Sequence, residues 1–403
     1  MFEDVITYAR LGIHRTGTDV DRRTADWIAG ELAVAGLDTR FDEWRLRQFV
    51  LQRCTMEVYG RDIEGIPLWF PKATVSGPVR APFHLFDDHG PKSDMAGRIV
   101  LMLPDSKVDT SEAEQAIRMF ELAKAGALGI VICPRTPSGE VFGHNVYAPY
   151  NQEPWPIPVV MAGWNDRPAL IVAAERQDEI VLTVEGRDDS QALARSVIGQ
   201  LTRGDQWVVV STPQSGWFRC GGERGPGVAL MLALARWAAE TPPGPSYLFL
   251  CNSGHELGMI GMDRILTWPG LPAPEQVIGW LHLGSSVATR PWTSDGRFSP
   301  QGYSGSNNLV ASPDLLPVIQ TSFAGLPDFQ PRAGEARGEL ARVLARGYSG
   351  FGFFGGHYHF HTDRDGPENT APALLEPVAL ALAEAIKTMI EQRGDQPASA
   401  FGD

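Results

Sequence analysis

The chain has 403 residues, 43% of them apolar and 21% charged, which is the composition of a globular protein able to bury a sizeable core and not of a disordered chain. Lys and Arg total 35 against 48 Asp and Glu, a net charge of −13, and so acidic a chain is a poor match for the phosphate backbone of a nucleic acid. No apolar run reaches the roughly 18 residues that a membrane span needs. The first residues lack the basic-then-apolar pattern of a secretion signal, so a cytoplasmic protein without a membrane partner is expected.

In chain order, Asp21 to Ala35 carries Trp27, Ile28 and Leu32 at helical spacing, with Gly36 placed to end the helix. The stretch LDTRFDEWRL then reads as an edge strand. From residue 67 to 189 the texture changes to short strands (GRIVLMLP, LGIVICP, PIPVVMAG, EIVLTVEG) around one helix that ends near Gly126. This predicts a small β-rich unit with one βαβ crossover. From residue 190 the pattern is α/β. SVIGQL and QWVVVS read as strands, and Pro226 sits where a proline opens a helix, GVALMLALARWAAE. YLFLCNS is a continuous apolar run that fits a fully buried strand. ELGMIGMDRIL reads as a helix, QVIGWLHLG as a strand, residues 290–335 as loop-rich, and PALLEPVALALAEAIKTMIEQ as a closing amphipathic helix. The four cysteines, Cys54, Cys133, Cys220 and Cys251, are far apart and form no CxxC pair, so neither a zinc ribbon nor a disulfide framework is suggested.

Three segments place polar, metal-competent residues at the ends of buried strands, where open α/β sheets form their sites. They are VVVSTPQSGWFRCGGERGPG, FLCNSGHELGMIG and GGHYHFHTDRD, with GWLHLG as a weaker fourth. In order and spacing these segments resemble the co-catalytic zinc aminopeptidase family, which includes glutamate carboxypeptidase, glutaminyl cyclase and the non-enzymatic transferrin receptor ectodomain. GHELGMIG resembles that family's Glu-Glu-x-Gly-x-x-Gly motif, and HTDRDGPEN its closing His-Thr-x-x-Asp. The resemblance covers almost the whole chain. It implies a mixed, mostly parallel α/β sheet flanked by helices (residues 1–66 and 190–403), with residues 67–189 similar to the protease-associated domain inserted in many members.

The departures from the family fall on its metal site. Where the family has His-x-Asp, this chain has Thr212-Pro213-Gln214. The bridging aspartate matches Glu223, the general base matches His255, the second Glu of the pair is kept as Glu256, a further aspartate falls near His282, and the last histidine is kept as His361. The resemblance therefore implies one divalent transition metal, zinc first, rather than two. Glu256, His282 and His361 would supply two imidazoles and a carboxylate, as in catalytic zinc sites with an open position, and Glu223 would assist. His255 would act as general acid or base, a role for which the histidine side chain is suited. Trp217, Cys220, His357 and His359 are candidates for the lining of the substrate pocket. A thiolate nucleophile at Cys220, with His255 as its base, is a minor alternative.

The leading expectation is a metal-dependent hydrolase or lytic enzyme acting on a small amide-, ester- or glycoside-like molecule, and not an ordinary di-zinc aminopeptidase. A catalytically silent binding or scaffold protein on the same fold, and a metal-free acid–base enzyme using His255 and Glu256, remain open beside it. The expected partner is a small-molecule substrate. Many relatives self-associate, so a homo-oligomer stays open, although no interface signature appears in the sequence.

Overall fold

A computed structural model describes residues 1–87, 92–104, 112–145, 154–241, 244–293, 295–299, 302–304 and 308–394. In chain order the elements are α1 (Phe2–Leu11), α2 (Asp19–Val34), β1 (Asp38–Val58), β2 (Arg61–Pro67), β3 (Val79–Leu85), β4 (Ile99–Met102), α3 (Glu112–Lys124), β5 (Gly129–Ile132), β6 (Val159–Ala162), α4 (Arg167–Arg176), β7 (Glu179–Leu201), β8 (Trp207–Pro213), α5 (Gly225–Glu240), β9 (Ser246–Asn252), α6 (Ile260–Ile265), β10 (Val277–Leu283), β11 (Asn308–Ala311), α7 (Leu316–Ser322), α8 (Gly338–Ala345), β12 (Gly350–Phe354) and α9 (Pro372–Gly394). Two compact units share them. The first holds Met1–Trp44, Leu193–His255 and Met259–Asp403, and the second holds Arg45–Ala192 with Glu256–Gly258.

In the first unit the strand order is β7-β9-β8-β10-β12-β11. The pairs β9–β8, β8–β10 and β10–β12 are parallel, and the outer pairs β7–β9 and β12–β11 are antiparallel. The central strands are buried along their whole length: every residue of β9 and nearly all of β8 and β10 are shielded from solvent, as parallel strands covered on both faces must be. Pro226 falls in the first turn of α5, where its missing N–H costs nothing. The apolar run behind it buries Val228 to Leu232, Leu234, Ala235 and Ala238. This helix packs against α1, α2, α9 and the central strands. The parallel strands therefore point their C-terminal ends at the loops that carry Gln214, His255, Ser285 and His357.

In the second unit the order is β1-β2-β6-β5-β4-β3-β7. Strands β4 and β5 run parallel with α3 between them, which is the crossover expected from the sequence. Ser111 and Glu114 have the spacing of a capping box at the start of this helix, but Ser111 lies outside the described residues.

Two local readings of the sequence change. EIVLTVEG and SVIGQL are not separate strands but the two ends of the continuous β7. Its middle, RDDSQALAR, is polar because it is largely exposed, and Arg47 grips Asp188 there with two hydrogen bonds of 3.0 and 2.7 Å. ELGMIGMDRIL is not one helix. A 3₁₀ turn at His255–Leu257 gives way to α6 only after Gly258 and Met259, both with positive φ (72° and 65°), a conformation that breaks a right-handed helix.

Candidate functional site

The site residues of the first unit are organised by Asp365, which follows β12 in the HTDRD segment. Its Oδ1 accepts the Gly222 amide at 2.8 Å and its Oδ2 the Glu223 amide at 3.0 Å. His357 Nε2 meets Oδ1 at 2.9 Å, and Asn369 Nδ2 donates to the same oxygen at 3.3 Å. The other ring nitrogen of His357, Nδ1, lies 2.9 Å from the Ser286 hydroxyl. This clamp needs a glycine at 222, because a Cβ there would stand 2.6 Å from Asn369 Cβ and 2.8 Å from Asp365 Oδ1.

The clamp fixes the next residue, Glu223, which is fully buried. Its Oε1 receives Arg224 Nη2 at 2.8 Å and faces His361 Nε2 at 3.1 Å. Its Oε2 is buried and has no hydrogen-bond partner among the described residues. Burial alone would raise the Glu223 carboxyl, but the Arg224 guanidinium and the His361 ring outweigh it and hold the group well below the usual carboxylate range. Arg224 is buried too, with Nε donating to the Ser215 carbonyl at 3.0 Å. His361 stacks on Phe360 at 4.0 Å between ring centres and has a positive φ of 57°.

A second cluster lies around Glu339, a fully buried carboxylate on α8. Its Oε1 faces His255 Nδ1 at 3.1 Å, and its Oε2 accepts from Asn252 Nδ2 at 3.1 Å. Burial raises this carboxyl, and the contacts with His255 and Asn252 and the nearby His282 more than reverse it, so its net shift is downward. His282 Nε2 lies 4.0 Å from Glu339 Oε2, while its Nδ1 is 2.9 Å from Ser211 Oγ, which also accepts from Trp280 Nε1 at 2.7 Å. Burial pushes His282 down to about 4. Of the histidines His255, His282, His357, His359 and His361, all are buried except His255, which keeps 15% of its side chain open to solvent.

The remaining expected residues fall as follows. Glu256 is buried in the turn after His255. Trp217 is buried, with the Arg15 guanidinium 5.0 Å from its ring centre. His359 is buried at the edge of Trp292 and Tyr358, 4.8 and 4.9 Å between ring centres. Cys220 is buried, and burial together with Glu223 and Asp365 pushes its thiol well above the ordinary range, so it has no thiolate character at neutral pH. Thr212, at the place of the missing histidine, is buried and donates its hydroxyl to the Leu283 carbonyl at 2.7 Å, and Gln214, at the place of the aspartate in His-x-Asp, gives its side-chain amide to Asp21 Oδ1 at 3.1 Å and the Arg195 carbonyl at 3.0 Å. Asp21 in turn accepts from Ser253 at 2.7 Å.

No family model matches the sequence, and no curated protein matches it either. Solved structures do match. A zinc aminopeptidase from Bacillus subtilis is similar at a TM-score of 0.76 and 17% identity, covering 100% of this chain and 97% of its own. A peptidase M28 precursor from Shewanella amazonensis follows at 0.71 and 15%, covering 100% and 94%. An aminopeptidase from an Aneurinibacillus strain is similar at 0.67 and 15%, covering 96% and 94%. The fold is that of the zinc exopeptidases.

The exopeptidase fold implies zinc, and the residues present can be tested for it. Among the described residues, one trio of metal-competent atoms comes together within 4.8 Å: Cys220, Glu223 and Asp365, all buried. Their chemistry does not suit a divalent ion. Cys220 holds its proton, Asp365 already accepts four hydrogen bonds, and Glu223 carries a guanidinium. A divalent cation about 4 Å from that guanidinium is repelled by roughly 8 kcal/mol at an effective dielectric constant of about 20. Of the four residues expected to share one metal, Glu223 and His361 are in direct contact, while His282 is turned to Ser211 and Glu339.

Sequence reasoning passed over Glu339, Arg224, Asp365 and Asp21. Asp365 was within reach as the last residue of HTDRD. Arg224 follows Glu223 directly. Glu339 gave no signal, because a glutamate in GELARVLA looks like an ordinary residue on the polar side of a helix.

Proposed function

We propose that this chain is a hydrolase of a small amide-, ester- or glycoside-like molecule, with His255 and Glu339 as its proton-transfer pair. The observation that carries this reading is the partly open His255 ring held at 3.1 Å by a fully buried carboxylate. Donating Nδ1–H to Glu339 leaves the Nε2 lone pair as the base. Nε2 takes a proton from water as the oxygen bonds to the electrophilic carbon, and the imidazolium then returns the proton to the leaving group as its bond to that carbon breaks. Glu339 keeps the ring in one orientation and stabilises its charged form. Glu223 and Arg224 supply fixed charge in the same unit.

The experiment is a screen of small amides, esters and glycosides with the wild type, His255→Ala and Glu339→Gln. Loss of the base is expected to lower kcat by about 10²–10⁴, with Glu339→Gln also impaired. Wild-type rates in both variants would refute the assignment. A second reading, a silent binding protein, draws on Thr212, which stands where the family has a histidine ligand and whose hydroxyl is tied to the Leu283 carbonyl at 2.7 Å. It predicts no turnover on any of these substrates.

A further inference from the structure

We propose that Arg224 is the resident cation of this site: its guanidinium occupies the charge-neutralising role beside Glu223 and closes the site to divalent metal ions. Four observations bear on it. Arg224 and Glu223 are both buried and meet at 2.8 Å. The guanidinium is anchored independently by the Ser215 carbonyl at 3.0 Å, so it is fixed in place and not merely drawn to the carboxylate. His361 faces the same Glu223 oxygen at 3.1 Å, which leaves that oxygen fully used. Finally, the carboxylates of Glu223 and Asp365 and the Cys220 thiol are buried with ligand-type atoms within 4.8 Å of one another, so metal-competent atoms do converge beside the guanidinium.

An arginine side chain stays charged at every pH a protein survives and cannot yield its place by losing a proton. A buried carboxylate needs a compensating charge, and here a side chain supplies it permanently. The site thus keeps a fixed positive charge without depending on metal supply, and chelators cannot remove it. The trio becomes a candidate zinc site only when the guanidinium is removed.

The test reads metal content and does not depend on turnover, so its outcome is separate from that of the hydrolase reading. Wild type, Arg224→Gln, Arg224→Lys and Glu223→Gln are equilibrated with zinc, dialysed and assayed for bound metal and for the zinc-induced shift in Tm. Wild type and Arg224→Lys are expected to retain no metal and show no shift, and Arg224→Gln to retain about one equivalent. Zinc retained by the wild type and lost in Glu223→Gln would overturn the proposal. So would an Arg224→Gln protein that folds yet takes up no metal, because geometry and not charge would then be what closes the site. Should Arg224→Gln fail to fold, the wild-type arm decides: retention overturns the proposal and exclusion supports it.

Discussion

Two buried histidines set how this protein responds to acid. His14 sits between the Thr24 hydroxyl at 2.9 Å and the Tyr8 carbonyl at 3.0 Å and stacks on the Tyr8 ring. Burial pushes it from 6.5 down to about 3, and His282 from 6.5 down to about 4. A base whose folded value lies below its unfolded value is neutral in the native state, whereas the unfolded chain takes up the proton. Stability is therefore intact above about 6.5 and falls as the pH drops from there toward 4, by up to roughly 1.4 kcal/mol per pH unit for each group. The Glu223 and Glu339 carboxyls, both lowered, act in the same direction but at lower pH: their contribution is present above the ordinary carboxylate range and is lost as the pH falls below it. Chemical denaturation between pH 7 and 4 should show a steady loss, shallower in a His14→Gln variant. A flat profile would mean that these rings are not buried as neutral groups.

At the scale of elements, the junction between β8 and α5 does most to build the site. The loop turns back on the HTDRD segment through Gly221 and Gly222, whose amides bond to Asp365 at 2.8 Å each. Gly222→Ala drives a methyl group into Asn369 and Asp365 and is expected to cost about 1–3 kcal/mol and to disorder Glu223. Gly30→Ala is the counter-case. Gly30 lies inside α2, and nothing approaches the position of its Cβ within 4 Å, so this change is expected to stabilise by about 0.5–1 kcal/mol. Urea unfolding of the pair reads both. The elements themselves were legible where the apolar pattern was long, as in α5, β9 and β10, because burial on all sides leaves an unbroken hydrophobic run. β7 was misread as two strands because its middle is exposed and polar, and the helix after His255 was misread because the positive φ of Met259 leaves no mark on composition.

For the molecule as a whole, the exopeptidase fold was readable from three motifs at strand ends, since the fold places its polar residues there whatever chemistry they perform. The chemistry was less readable. The motif positions Glu223, His255 and His361 do gather charge, but their partners Arg224, Asp365 and Glu339 come from side chains with no motif of their own. The motifs direct attention to metal ligands, whereas the geometry places a guanidinium on Glu223 and a buried carboxylate behind His255. The most direct measurement is the hydrolysis rate of the wild type, on the best substrate found in the screen, before and after exhaustive chelation. The account predicts an unchanged rate. A rate abolished by the chelator and restored by zinc would contradict it.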